Sequence, residues 1–359
     1  MSRTTPPVRV GFLGAGFIAR FHLGLLGDAG AHEVVAVFDP DERRSQELAE
    51  QCGAEVCSSV EEVLDRVDVV YVCTWTSEHR PLVELAAAHG VAVFCEKPLA
   101  TNLADASAMV DVVERAGVVN QVGLVLRSLP SFRRLRDLLA DPGNGRAMTF
   151  VFRDDQFLPV WGHYDSTWRA DPSKAGAGAL LEHSIHDLDI VEWLLGPVVG
   201  VRAHTDEFHG IAGIEDLAVV MVDLASGATG TLTSVWHDVT ERPSLRRLEV
   251  FCERAWYALE GDFGGPVVWQ REDGDDGSLD GDQLWQPAER PELGWSNPAR
   301  VLLDGVRDGT PVAPSFRDAL RAHELAAAVY ESAASGERVS TAPATGPDGD
   351  RRSPPAPPG

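Results

Sequence analysis

Of the 31 basic residues in this 359-residue chain, only two are lysine, Lys97 and Lys174. Arginine serves where a positive charge is enough, so a retained lysine suggests a role that needs a proton to come and go. Lys97 stands in Glu96-Lys97-Pro98, directly after the apolar run 91–95. Charged residues at the carboxyl end of a parallel strand fall where open α/β sheets bind ligands. Pro98 also pushes Lys97 towards extended backbone. A surface ion pair between Glu96 and Lys97 fits the same residues. A second group is Glu182, His186 and Asp189, spaced four and three and so expected on one helical face. A carboxylate four residues from a histidine can orient the ring and raise its basicity, which is general-base chemistry. A solvated polar face fits that spacing too. A metal site from His183, His186 and nearby acids is a weaker reading, because the two histidines are only loosely co-facial, and no metal is expected.

The third group is Gly14-x-Gly16-x-x-Ala19, with Phe17 and Ile18 entering the helix that follows, and Asp39 25 residues after Gly14. Glycines at such a turn let the backbone approach a pyrophosphate, and the helix N-terminus supplies free N–H groups. Asp39 can accept hydrogen bonds from ribose hydroxyls. Its charge repels a 2′-phosphate, so NAD is expected, with NADP possible.

These groups need elements to hold them. Runs 8–13, 33–38, 68–73, 91–95 and 118–122 read as buried strands, several of them valine-rich. They alternate with helical stretches at 17–29, 41–51, 77–89 and 103–116, the pattern of parallel βα units. Residues 1–126 are therefore expected to form a doubly wound Rossmann α/β domain. Beyond Arg127 the strands lengthen and alternate, at 148–152, 198–204, 217–224, 228–236 and 247–252, with a hairpin turn at 225–227. Helices are expected at 131–140, at 180–195 and from Ser315 to about 335. Residues 127–338 thus read as an α+β domain built on an open, mainly antiparallel sheet. Residues 271–295 read as a loop insertion, and 339–359 as a disordered Pro/Gly-rich tail.

Composition excludes other classes. The net charge of −24 leaves no basic footprint for nucleic acid and disfavours anionic lipid. No apolar run reaches the ~18 residues of a membrane span, and the N-terminus carries no apolar leader. Five cysteines, an odd number without Cys-x-x-Cys, argue against a disulfide framework and for a cytoplasmic location.

Taken together, the glycine motif, Thr74-Trp75-Thr76-Ser77-Glu78-His79, Glu96-Lys97-Pro98, the 123–127 segment and 175–189 with Trp193-Leu194-Leu195-Gly196 resemble the Gfo/Idh/MocA family over nearly all of 8–338. The resemblance implies a nicotinamide cofactor and hydride transfer at an alcohol or aldehyde carbon of a sugar, inositol or related polyol. It implies a substrate domain that often mediates oligomers, so a homodimer or homotetramer is expected. Lys97 matches the family's catalytic lysine and His186 its histidine. Glu182 stands where aspartate is usual, Trp75 where proline is usual beneath the nicotinamide, and Ala177 where glycine is frequent. Thr74, Trp75, His79, Glu96 and Lys97 would then join Gly14, Gly16, Phe17, Ile18 and Asp39 around the cofactor. On this view His186 accepts the substrate proton, Glu182 holds the imidazole and Lys97 steadies the oxygen. Substrate contacts are expected from His163, Tyr164, Trp168 and Arg169, whose aromatic and polar mixture suits a polyhydroxylated ring. Arg127 and His183 are further candidates. Two other functions stay open: an NAD-dependent glycosidase of the same family, and a non-catalytic NAD-binding protein.

Overall fold

A computed structural model of the chain describes residues 6–161, 166–239, 241–261, 265–284 and 297–341. The first domain is β1 (Val8–Leu13), α1 (Phe17–Leu26), β2 (His32–Phe38), α2 (Glu42–Cys52), β3 (Glu55–Val56), α3 (Val60–Leu64), β4 (Val69–Val72), α4 (His79–Ala88), β5 (Ala92–Cys95), α5 (Leu103–Ala116) and β6 (Asn120–Val122). Its six strands are parallel in the order β3-β2-β1-β4-β5-β6. All four residues of β4 and of β5 are buried, as expected of strands covered by helices on both faces. The strand order reverses between β1 and β4, and ligands of such sheets bind outside the carboxyl ends of the strands at that reversal.

The second domain follows with α6 (Pro130–Leu139), β7 (Ala147–Phe157), α7 (Pro172–Ala175), a π-helical turn (Ala179–His183), α8 (Ile185–Leu195), β8 (Val198–Asp206), β9 (Leu217–Leu224), β10 (Thr229–His237), β11 (Leu245–Cys252), β12 (Ala255–Leu259), β13 (Val267–Arg271) and β14 (Gly277–Leu279). After α9 (Pro298–Asp308) and α10 (Phe316–Ser335), β15 (Val339–Ser340) completes a nine-stranded sheet, β14-β13-β12-β11-β7-β10-β9-β8-β15. Only the β7–β10 pairing is parallel. Strand alternation sends Phe150, Phe152, Leu232, Leu248 and Val250 to one face, where they pack with Ile185 and Leu188 of α8 and Leu325 and Val329 of α10. Each such side chain contributes about 1.5–3 kcal/mol by leaving water.

Three expectations change. The helix foreseen at 180–195 is broken, with a π turn before Ser184 and regular α-helix after it. The loop foreseen at 271–295 contains edge strand β14, in which Leu279 pairs with Val267; residues 285–296 lie outside the described region. The tail foreseen from 339 begins as β15, and Thr341 Oγ1 still donates to the Val198 carbonyl at 2.8 Å; residues 342–359 lie outside the described region. The chain also revisits the first domain late. Leu302 and Leu303 of α9 pack with Val10 and Phe12, and Phe316 and Ala319 of α10 pack with Leu99, Val110 and Val122. The N-terminus of α10 is fixed by a capping box between Ser315 and Asp318.

Candidate active site

At the carboxyl end of β1, Gly14 adopts φ 91°, and a Cβ there would stand 2.5 Å from the Cys73 carbonyl oxygen. Only glycine allows this approach, which brings the loop after β4 against the glycine turn. Gly16 begins α1 with no side-chain cap, and a Cβ there would meet nothing within 4 Å. An uncapped helix end beside open space is the donor set a pyrophosphate needs. Phe17 is exposed in the first turn, and Ile18 packs onto the domain core. Asp39 accepts the Ala15 N–H on one carboxylate oxygen and the Asp41 N–H on the other, each at 2.8 Å. That fixes the carboxylate while leaving lone pairs for ribose hydroxyls. These residues fit a dinucleotide. Thr74 and Trp75 follow β4 beside Gly14. The half-exposed Trp75 ring lies 4.4 Å from Lys174 Nζ, a cation–π contact from α7.

His79 is buried and bonded, not turned towards the crevice. Its Nδ1 faces the Pro98 and Leu99 carbonyls at 3.1 and 3.3 Å, and its Nε2 faces the Thr74 carbonyl at 3.3 Å. It ties the loop after β4 to the loop after β5. Glu96 is likewise internal. Its carboxylate meets His22 Nε2 at 2.5 Å and accepts the Lys97 N–H at 3.0 Å. Burial would push the Glu96 carboxyl up, but His22 and Lys97 outweigh it and hold it below its ordinary value. His22 went unnoticed in the sequence, yet it lies between Ala19 and Leu26 on the buried stripe of α1. A histidine on an apolar stripe needs an internal partner.

Lys97 reaches across to the second domain. Its Nζ donates to the Glu182 carbonyl at 2.6 Å and stands 3.5 Å from Glu182 Oε1. Arg169 Nε donates to the same Oε1 at 2.7 Å, while Arg169 stacks on Trp168 and bonds Ser166 Oγ. Burial raises the Glu182 carboxyl, but Arg169 and Lys97 prevail and keep it below its usual range. The expected hydrogen bond from Glu182 to His186 is not formed. His186 Nδ1 is buried without a hydrogen-bond partner among the described residues. The cause is the π turn: Ser184 N–H bonds the Ala179 carbonyl five residues back, so residues on either side lose the four-residue alignment. Glu215 holds that turn, accepting the Gly178 and Leu180 N–H groups at 2.7 and 3.0 Å. Burial, then Lys97 and Arg246, hold His186 well below 6.5, so it is a neutral imidazole at physiological pH.

Asp189 is drawn off as well. Arg127 clamps it at 2.8 and 2.5 Å and also bonds Asp318 at 3.0 Å, so this guanidinium ties α8 to α10. Burial still pushes the Asp189 carboxyl up to about 6. Arg127 is thus committed to ion pairs, contrary to the substrate contact foreseen for it. His183 points Nε2 inward, 3.0 Å from Arg246 Nη2 and 3.2 Å from Asp154 Oδ2. Gly162 to Asp165, and with them His163 and Tyr164, lie outside the described residues. No metal cluster occurs among the described residues.

A family model described as "Oxidoreductase family, NAD-binding Rossmann fold" matches residues 8–124, and a GFO/IDH/MocA C-terminal domain model matches 132–258. Over 338 residues the chain is 29% identical to myo-inositol 2-dehydrogenase of Thermotoga maritima, covering 90% of this chain and 96% of that one. It is 28% identical over 351 residues to D-apiose dehydrogenase of Paraburkholderia graminis, covering 91% and 88%. Among solved structures, levoglucosan dehydrogenase in complex with NADH and levoglucosan shares the fold, with a TM-score of 0.82 at 22% identity over 94% of this chain and 100% of that one. With both family models matched in chain order around the lysine and the paired glycines, the protein belongs to the Gfo/Idh/MocA family of oxidoreductases.

Proposed function

We propose that the chain transfers hydride between NAD(H) and a secondary alcohol or carbonyl carbon of a sugar, inositol or related polyol. The observation that carries this reading is the meeting of Lys97 Nζ, from the end of β5, with Glu182 of the second domain beside the cofactor crevice. The dehydrogenase names of the inositol and apiose relatives support it. Gly14, Gly16 and the free N–H groups of α1 would hold the pyrophosphate, Asp39 the ribose, and Thr74 and Trp75 would flank the nicotinamide. NAD, when bound, supplies the hydride acceptor, and NADH the donor.

The protein's own groups then manage the oxygen. An ammonium has three donors, and two of those on Lys97 are directed at Glu182, leaving the third for the substrate oxygen. In the reducing direction Lys97 gives its proton to that oxygen as negative charge develops, and in the oxidising direction it takes the proton back. Glu182 steadies the charged lysine, a role different from holding His186. An N–H at His186 Nδ1 would find no acceptor, so the ring proton belongs on Nε2. The neutral imidazole then donates a hydrogen bond to the substrate oxygen without competing for the proton. Arg169 positions Glu182, and the Trp168 it stacks on offers an apolar face to a sugar ring.

The outer face of the nine-stranded sheet exposes Met148, Val151, Val219 and Met221, which supports assembly into a homo-oligomer. All five cysteines are unpaired, which supports a reducing, cytoplasmic setting. No described helix is long and apolar enough to cross a membrane. The test is an absorbance screen of NAD(H) and NADP(H) against inositols, aldoses, anhydro-sugars and glycosides. Stoichiometric NADH change with a polyol is expected. Product release from a glycoside without net NADH change would replace this reading by the glycosidase.

A further inference from the structure

Three consecutive backbone N–H groups at the start of the π turn go to one distant residue, Glu215. Its carboxylate accepts the Gly178 N–H at 2.7 Å on one oxygen and the Leu180 N–H at 3.0 Å on the other. Its carbonyl accepts the Ala179 N–H at 2.7 Å. These are donors of the kind that the first turn of a helix leaves unmet. Glu215 is buried and stands just before β9. The next residue, Asp216, extends the sheet ladder on both sides. Its N–H bonds the carbonyl of Asp206, the last residue of β8, at 3.0 Å, and its carbonyl accepts the Trp236 N–H of β10 at 2.8 Å. The turn therefore hangs from the sheet, not from its own helix. From the opposite side, the Tyr330 hydroxyl of α10 donates to Glu215 Oε1 at 2.8 Å.

What hangs from this anchor is the group that meets Lys97. The Glu182 N–H bonds the Gly178 carbonyl at 2.9 Å, and the Ser184 N–H bonds the Ala179 carbonyl at 2.9 Å. Between them the Glu182 carbonyl takes its hydrogen bond from Lys97 Nζ at 2.6 Å. A backbone carbonyl cannot follow a lysine by changing rotamer, so the place of the turn sets the place of the ammonium. We propose that Glu215 is a positioning residue for catalysis: it fixes the π turn, through the turn the Glu182 carbonyl, and through that carbonyl Lys97, while Tyr330 holds the Glu215 carboxylate. The consequence for turnover rests on the dehydrogenase reading, whereas the placement of Lys97 does not. Glutamine cannot stand in for this glutamate. Each carboxylate oxygen accepts a backbone N–H, so the amide NH2 faces one of those donors whichever way it is turned. A buried donor left without an acceptor costs more than a bond never made, and the turn must shift to relieve it.

Because the chain has only two lysines, their placement is measurable without turnover. In the full chain labelled with [13Cε]lysine, NMR should show two side-chain signals, and Lys174→Arg assigns them. Glu215→Gln should move the Lys97 signal and leave that of Lys174, which is held over Trp75. Tyr330→Phe, which removes one hydroxyl, should move the Lys97 signal less. An unmoved Lys97 signal in folded Glu215→Gln overturns the proposal. So does an equal displacement of both lysines, which marks general loosening. If Glu215→Gln does not fold, Tyr330→Phe decides alone, and an unmoved Lys97 signal there overturns the proposal. Kinetics supply a second reading. Glu215→Gln should lower kcat by about tenfold or more with the KM for NAD unchanged, since misplacing a reacting group by about 1 Å can cost about a hundredfold. A raised KM for NAD with kcat retained would assign Glu215 to the cofactor frame, against the proposal. If wild type turns over no polyol, the dehydrogenase reading fails, while the lysine signals still decide the placement.

Discussion

The two sides of the crevice satisfy their polar groups in opposite ways. On the cofactor side each functional carboxylate and ring has internal partners: Asp39 has two backbone N–H groups, His79 three carbonyls, and Glu96 both His22 and the Lys97 N–H. On the substrate side the π turn leaves His186 Nδ1 and Asp187 Oδ2 unmet, and crowds two acids around one arginine. Fully bonded groups make a rigid frame, whereas unmet ones control protonation. The difference teaches that the first side sets where the reacting atoms stand, and the second sets which of them carries a proton.

The strongest test of that division replaces the residue that joins the sides. Lys97→Arg keeps the positive charge but cannot release its proton, and should lower kcat by about 10³-fold. NADH binding, followed by fluorescence titration, should hold. Comparable turnover would place the proton transfer elsewhere. Next in size is His22→Leu, which leaves Glu96 buried without its partner and should cost about 3–5 kcal/mol in urea unfolding. A loss under 1 kcal/mol would mean that the frame does not depend on this pair.

Acid should expose the frame through His323 of α10, which is buried, accepts the Ala100 N–H at 3.4 Å, and is held down to about 4, mainly by burial. An unfolded histidine binds a proton below about 6.5 and the folded one only below about 4. The stability it allows is complete above pH 6.5 and falls as the pH drops towards 4, by about 3 kcal/mol in all. His323→Leu should remove that slope when urea unfolding is compared at the two ends of the window; an unchanged slope would assign the acid sensitivity to other groups. The smallest effect is expected from Lys174→Met, which removes the cation over Trp75. It should raise the KM for NAD a few-fold, in line with about 0.5–1 kcal/mol for an exposed cation–π contact.

The cofactor side was largely legible in the sequence because its signals are local. The glycine turn, the valine-rich strands and Glu96-Lys97-Pro98 each occupy a few consecutive residues. The capping box at Ser315 and Asp318 reads in the same way. The spacing of Glu182 and His186 misled because regular helix was assumed. The turn that breaks it is fixed by Glu215, more than thirty residues away, and by Gly178, where a Cβ would stand 1.9 Å from the Glu215 carbonyl oxygen. Arg169 then draws Glu182 aside by a contact that no spacing rule contains. Two signals went unread. Arg246 alternates with Leu248 and Val250, and Asp154 with Phe150 and Phe152, so both charged residues had to face inward and required each other.

Helix α10 begins among the side chains of the first core and continues into the second. Such a strut resists the jaw-like swing common in two-domain enzymes, because opening would bend a continuous 20-residue rod or tear one end from its seat. A change in the width of the gap between the domains would have to be accommodated along this helix.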